Sequence, residues 1–351
     1  MKMIVTSCLF LILGWFTTDS GKMDPISTSQ TTTSSYEEKA KMKGVNFVAP
    51  PQPFAKNPMP AVKQVNANWI AVVPLAYTRV GKPTVRYNIA DYQWWGEKPE
   101  GVKKTIALAK AEQLKIMLKP QVYIPGSWPG GLDFEHEADW EKWEADYTKY
   151  IMEMLDIAIA YKVEVFCVGT EFKIGVRKRE AYWRALISEI RGKYQGKLTY
   201  AANWDSYETL PIWDALDIAG IDAYFPLTES KTPTVKELKK AWKPTLQKIR
   251  HFHKKQQIPI LFTEYGYLSV DGCAGKNWEL EGKINRLPIN EQAQANALDA
   301  LFTVFWEEPY WQGGFIWKWF PNLEGGEGYN HKDYTPQGKL GARVMSWWYA
   351  R

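Results

Sequence analysis

From Lys43 onward short apolar runs alternate with amphipathic stretches, and this alternation limits the possible folds more than any other feature of the chain. The runs predicted as strands are residues 44–48, 70–75, 116–123, 163–170, 198–203, 218–224, 260–264 and 314–317. Helical patterns lie between them. The clearest covers 138–161, where Trp140, Trp143, Tyr147, Tyr150, Ile151, Met154, Leu155 and Ala158 recur mostly at three- and four-residue steps and make one apolar face. Two more cover 180–194 and 235–255. Strands that alternate with helices imply a parallel sheet covered by helices. Eight strands favour closure into a (β/α)8 TIM barrel over an open sheet, and no glycine-rich phosphate loop follows the first strand. The reading is a single α/β domain over 43–351, without internal repeat. A last helix is predicted with Thr335 as N-cap, Pro336 in its first position, and Leu340, Val344, Trp347 and Trp348 facing the barrel.

The first 42 residues have a different character. Met1-Lys2-Met3 leads into an apolar run from Ile4 to Phe16, then Thr17-Thr18-Asp19-Ser20-Gly21, which predicts a secretory signal over 1–20. The run is short for a membrane span. Val5-Thr6-Ser7-Cys8 loosely resembles a lipoprotein box, although the apolar run follows it. Residues 21–42 are rich in Ser, Thr, Lys and Glu and read as a disordered tether. The expected location is extracytoplasmic: secreted, periplasmic or lipid-anchored.

Composition excludes several functions. The net charge of +5 is spread along the chain without a basic block, so nucleic acid is not an expected partner. Three cysteines and four scattered histidines offer no disulfide framework and no metal-ligand spacing, so no metal or other cofactor is expected. Cys167 reads as a small core residue rather than a nucleophile. The excess is aromatic: 18 Trp and 19 Tyr. Most would pack in a core, but flat rings also stack on the C–H faces of sugars.

Two predicted strands end on a glutamate, at Thr170-Glu171 and Thr263-Glu264. Functional groups of such barrels lie where strands end on the C-terminal face. Glu171 ends the fourth strand and Glu264 the seventh. They are 93 residues apart, which matches three units of about 31 residues in a barrel of this size. Strand ends four and seven face each other across a closed barrel. Two opposed carboxyls are the requirement for glycosidic cleavage, one as acid and then base, the other as nucleophile.

Glutamates at these two strand ends are the hallmark of clan A glycoside hydrolases, which the chain resembles. Val168-Gly169-Thr170-Glu171 and Phe262-Thr263-Glu264-Tyr265-Gly266-Tyr267 are most similar to glycoside hydrolase family 113, the β-1,4-mannanases. Gly44-Val45-Asn46-Phe47, Lys119-Pro120, Asn203-Trp204, Asp222-Ala223-Tyr224, Gly314-Phe315-Ile316-Trp317 and the segment from Tyr334 to Lys339 fit the same family. The resemblance covers about residues 43 to 351. It implies a retaining endo-β-1,4-mannanase acting on a β-linked oligo- or polysaccharide, with Glu171 as acid/base and Glu264 as nucleophile. Many clan members have Asn before the acid/base, where it holds the sugar 2-hydroxyl. Here the position is Thr170, so another group such as Asn203 must serve.

Other residues near strand ends are candidates for substrate binding. Tyr224 could donate to Glu264, and Trp317 could floor the subsite of the distorted ring. Asn46, Lys119, Gln121, Asn203 and Asp222 could bind hydroxyls. Trp94, Trp95, Trp128, Trp204 and Trp319 divide between outer subsites and packing, and the 323–333 loop between a lid and a plain connection. A β-glucanase or exo-β-mannosidase of the same clan remains open on sequence. A non-catalytic carbohydrate-binding barrel would need one of the two carboxylates lost, and both are present.

Overall fold

The computed structural model describes residues 40–89, 92–322 and 331–351. The predicted signal, and all of the predicted tether up to residue 39, lie outside these residues, as does most of the 323–333 loop. Among the described residues eight parallel strands close into a barrel: β1 (Met42–Phe47), β2 (Trp69–Val72), β3 (Lys115–Leu118), β4 (Val165–Thr170), β5 (Lys197–Asn203), β6 (Ile218–Asp222), β7 (Ile260–Tyr265) and β8 (Trp311–Trp319). β1 pairs with both β2 and β8, which closes the ring. Helices α1 (Met59–Gln64), α2 (Pro99–Ala111), α3 (Glu137–Ala160), α4 (Glu180–Lys193), α5 (Val235–Gln256), α6 (Glu291–Phe305) and α7 (Leu340–Tyr349) cover its outside. The β5–β6 connection carries no α-helix, only the 3-10 turns Tyr207–Thr209 and Trp213–Ala215.

Alternation along the strands builds two apolar layers. Trp69 and Ala71 join Met117, Val165, Ile218, Leu261 and Phe315 in a cluster drawn from strands all round the barrel, which fills its axis. Their neighbours Ile70 and Val72 belong to the larger layer under the helices. The aromatic excess lies largely there: Trp143, Trp183, Trp213, Trp242 and Trp311 are fully buried. The α3 face packs as its periodicity predicts. Trp143 stacks on Tyr147 with centroids 4.8 Å apart, and the Tyr147 hydroxyl donates to the Val168 carbonyl of β4 at 2.9 Å. Thr234 and Glu237 form a capping box that starts α5.

Three expectations are corrected. The second and third predicted strands each break in two, after Val72 and Leu118, because Pro74 and Pro120 have no N–H for the ladder. The continuations Leu75–Tyr77 and Gln121–Tyr123 pair with each other in a separate parallel ribbon. Met42, assigned by sequence to the tether, opens β1 and is buried. The last helix starts at Leu340, not Pro336. Thr335 Oγ1 accepts from the Gln337 N–H at 3.3 Å, and the Lys339 N–H donates to the Pro336 carbonyl at 3.0 Å, so this segment is a turn. The later start rotates the buried face onto Gly341, Met345, Trp348 and Tyr349 and leaves Trp347 exposed.

Candidate active site

Strand alternation alone does not bring Glu264 into the barrel mouth. Leu261 faces the axis, so an unbroken pleat would turn Thr263 inward and Glu264 outward. The ladder skips there: Ile221 pairs with Phe262, but Asp222 pairs with Glu264. The extra residue is a bulge, and it re-aims the carboxylate into the cleft. β4 carries a similar irregularity, with Cys167 opposite Thr199 and Thr170 opposite Ala201. Glu171 follows at φ +59°, in the left-handed region that costs a side-chain-bearing residue roughly 1 kcal/mol or more. Its N–H donates to the Ala201 carbonyl at 2.8 Å, which holds this conformation against β5. Gly266 completes the approach of β7 to β8, since a Cβ there would lie 2.3 Å from the Trp317 carbonyl oxygen. The Trp317–Lys318 peptide bond is cis.

Three donors converge on Glu264. The buried Lys119 ammonium pairs with Oε1, Gln121 Nε2 donates to Oε1 at 2.9 Å, and the Tyr224 hydroxyl donates to Oε2 at 2.8 Å. Burial alone would lower the Lys119 pKa, but the charges of Glu264 and then Asp222 outweigh it and hold it above the ordinary lysine value. Burial, then the Glu264 charge, keeps Tyr224 well above the usual tyrosine range, so it remains a donor. Asp222 lies beside this group, with Oδ1 accepting from Thr263 Oγ1 at 2.7 Å. Burial, and next the Glu264 charge, push its carboxyl well up. A buried ion pair adds little net stability; here it fixes the position of an anion.

Glu171 has a different environment. Its carboxyl is raised from the ordinary 4.5 to about 7, first by desolvation within the cleft walls and then by the negative charge of Glu264. The Trp128 indole N–H donates to Oε2 and opposes that rise. Gly130 lets the indole lie flat against the loop, since a Cβ there would meet the ring at 2.1 Å.

Both glutamates line one cleft of about 1030 Å³. Asn46, Gln121, Asn203, Tyr224, Trp317, Trp94, Trp128 and Trp204 line it too. Asn46 spends its amide on the carbonyls of Thr263 and Phe315, each at 3.1 Å, and its Oδ1 has no protein partner. Asn203 Nδ2 donates to Asp205 at 3.0 Å. Lys119 and Asp222, expected to bind hydroxyls, are instead fully buried and do not line the cleft. They lie behind Glu264, because Lys119 extends beyond the end of β3 toward the axis and Asp222 pairs with the bulge. Trp95 and Trp319 do not line the cleft; Trp95 packs edge-on against Phe54, and Trp319 is buried in the core. Burial pushes the Cys167 thiol up to about 11, as for a core residue. Among the described residues no group of three or more His, Cys, Asp or Glu could hold a metal ion.

Sequence reasoning missed Glu97, Asn277, Trp278 and Glu281, which also line the cleft. Glu97 ends the short 3-10 turn Trp95–Glu97 and the other three lie on the short helix Asn277–Glu281, both inside connections where no residue pattern marks them. Tyr334, which donates to Glu281 at 2.6 Å, lies in the Tyr334–Lys339 segment already singled out. The hydroxyl of Thr170 is another omission: it is buried in the cleft wall without a protein partner.

The donor to Glu171 can be tested through pH. A proton donor must hold its proton, so an activity that uses Glu171 as donor is expected to lose kcat/KM as pH rises through about 7. The indole bond favours the carboxylate; its loss in Trp128→Phe raises the Glu171 pKa and moves the alkaline limb to higher pH. A pH profile of this variant with an unmoved limb would remove Trp128 from this role.

The model of Glycoside Hydrolase Family 113 matches residues 50–339. Among solved structures, the chain is similar to a β-mannanase of that family from Alicyclobacillus acidocaldarius, determined in complex with ManMIm. The two are 25% identical with a TM-score of 0.76, over 89% of this chain and 97% of the other. A complex of a β-1,4-mannanase of the family is also 25% identical, with a TM-score of 0.74 over 89% and 99% of the two chains. A β-glucuronidase from Ruminococcus gnavus is 18% identical with a TM-score of 0.61, over 88% of this chain and 50% of the other, and shares the fold. Comparison with curated proteins gives no match.

Proposed function

Because the chain belongs to glycoside hydrolase family 113, we propose that this glycosidase is a retaining endo-β-1,4-mannanase with Glu171 as acid/base and Glu264 as nucleophile. The observation that carries the reading is the inequality of two carboxyls in one cleft. Glu171 is pushed to about 7, while Glu264 is surrounded by an ammonium, an amide and a phenol, all donors. A carboxyl kept protonated by burial suits the acid, and one held in place by three donors suits the nucleophile.

In the first half-reaction the Glu171 proton goes to the glycosidic oxygen as its bond to the anomeric carbon breaks. A Glu264 oxygen bonds that carbon from the opposite face, and the leaving sugar departs as an alcohol. In the second half Glu171, now a carboxylate, takes a proton from water. The water oxygen bonds the anomeric carbon, and the ester to Glu264 breaks. Lys119, Gln121 and Tyr224 position Glu264 throughout. Trp317 would lie under the reacting ring, and Trp94, Trp128 and Trp204 would stack on sugars further along. Asn203 and the unpartnered Thr170 hydroxyl are the groups available to the 2-hydroxyl.

The test is hydrolysis of mannan, glucomannan, cellulose and xylan oligosaccharides, with product sizing and NMR of the first-formed anomer. Internal cuts in mannan with a β-product are expected. An α-product would overturn the double displacement. Fast cleavage of cello-oligosaccharides with mannan untouched would overturn the substrate and leave the chemistry.

The raised carboxyl also has a consequence for stability. A group whose folded pKa lies above its unfolded value, here about 7 against 4.5, contributes its full stability below 4.5 and loses it as pH climbs through 7. Glu171→Gln is therefore expected to stabilise the fold at pH 8 by about 1–2 kcal/mol, discounted for the water of the open cleft, and to be neutral near pH 4. Urea unfolding at the two pH values checks both the sign and the window.

A further inference from the structure

A second depression, of about 380 Å³, adjoins the cleft. Arg79, Lys82, Arg86 and Lys142 line it together with Tyr77 and Tyr92, and none of its described lining residues is acidic. Among the described residues these four cations make no ion pair, whereas Arg179, Arg184, Arg191 and Arg250 each meet a carboxylate. A concavity lined by one sign of charge focuses field on its interior. Arginines left without a carboxylate keep a planar fork of donors suited to one.

Tyr77 is the wall between the two spaces. Its ring lines the depression, while its hydroxyl donates at 2.7 Å to Glu97, which lines the catalytic cleft. Its ring also meets Tyr123, another cleft residue, edge-on at 6.1 Å. Exposed rings mark this rim on both sides, Tyr92 toward the depression and Trp94 and Tyr123 toward the cleft. A sugar chain bound along the cleft would carry its substituents past this wall, beside the depression that the four cations line.

We propose that this depression is a subsite for an acidic substituent, a carboxylate or a sulfate ester, on the glycan chain held in the cleft. This deepens the functional reading and rests on the cleft being a glycan site, not on the backbone being mannan.

The test is calorimetric binding to the full chain carrying Glu264→Gln, so that ligands are not consumed. The probes are manno- and cello-oligosaccharides in three forms: unmodified, oxidised at primary alcohols to uronic acids, and sulfated. One acidic series is expected to bind roughly fivefold or more tightly than its uncharged parent, an advantage that shrinks as salt is raised. Arg79→Ser/Arg86→Ser should remove that advantage and leave the parent's affinity unchanged. Lys142→Ser, a change on a separate helix, should reduce it. Equal binding of charged and uncharged forms, or an equal loss on both in the double variant, would overturn the subsite. An acidic advantage seen only on the cello backbone would keep the subsite and overturn mannan as substrate. Binding of manno-oligosaccharides without such an advantage would do the reverse.

Discussion

Glu264→Ala is expected to lose at least about 10⁴-fold in kcat/KM on manno-oligosaccharides and on activated aryl glycosides alike, because no glycosyl-enzyme forms without the attacking carboxylate. The loss should not depend on the leaving group. Added azide can replace the missing carboxylate only by attacking the substrate directly from the nucleophile's face. Any rescued product is therefore the α-azide. The deletion also strands Lys119, an ammonium with no exposure whose nearest carboxylate would be gone. An uncompensated buried charge typically destabilises by about 3–5 kcal/mol. Glu264→Gln keeps an oxygen for Lys119, so it should be equally inactive yet better folded. Full activity of either variant would remove Glu264 from the chemistry.

Glu171→Ala should divide the substrates. Oligosaccharides have a poor leaving group and need the proton, so the expected loss is about 10²–10⁴-fold. Aryl glycosides with an acidic phenol need none in the first step, and the glycosyl-enzyme should form and accumulate. Azide then attacks that intermediate from the face opposite Glu264 and gives the β-azide. The anomer formed thus reads out which carboxyl was removed. Exchange of the two products between the variants would exchange the roles. The alkaline limb near pH 7 should vanish from the Glu171→Ala profile, since the carboxyl raised by burial and by Glu264 is the titrating group.

Much of this site is legible in the sequence alone. Apolar runs ending in glutamate at the fourth and seventh strands point to a barrel mouth, because burial penalises a carboxyl unless a polar cleft receives it. Tyr224 was readable as a donor to Glu264 from its place beside β7, and that bond is present. Lys119 was harder. A lysine near a strand end reads as a rim residue, and only closure of the barrel buries it behind Glu264. The prolines at 74 and 120 were visible, yet the apolar residues around them kept the runs continuous to the eye. The missing N–H decided the break. Thr335-Pro336 has the chemistry of a helix start, but the Thr335 hydroxyl closes a local turn with Gln337 and the helix begins four residues later. Trp278 and Glu281 carried no signal at all, since the short helix that holds them reaches the cleft by the path of the connection after β7, which periodicity does not record.

The bulge in β7 places the chemistry in a count rather than in a composition. Smoothing the bulge with the sequence unchanged would remove no group assigned to bond making. It would nevertheless restore an even pleat and swing Glu264, three residues after the inward Leu261, toward the helices. Conversely, a designer who grafted the two glutamates onto an idealised barrel with regular strands would reproduce both side chains and aim one of them away from its substrate. The portable unit is the glutamate with its irregular strand, and a transplant of this chemistry to another scaffold succeeds or fails on one supernumerary residue.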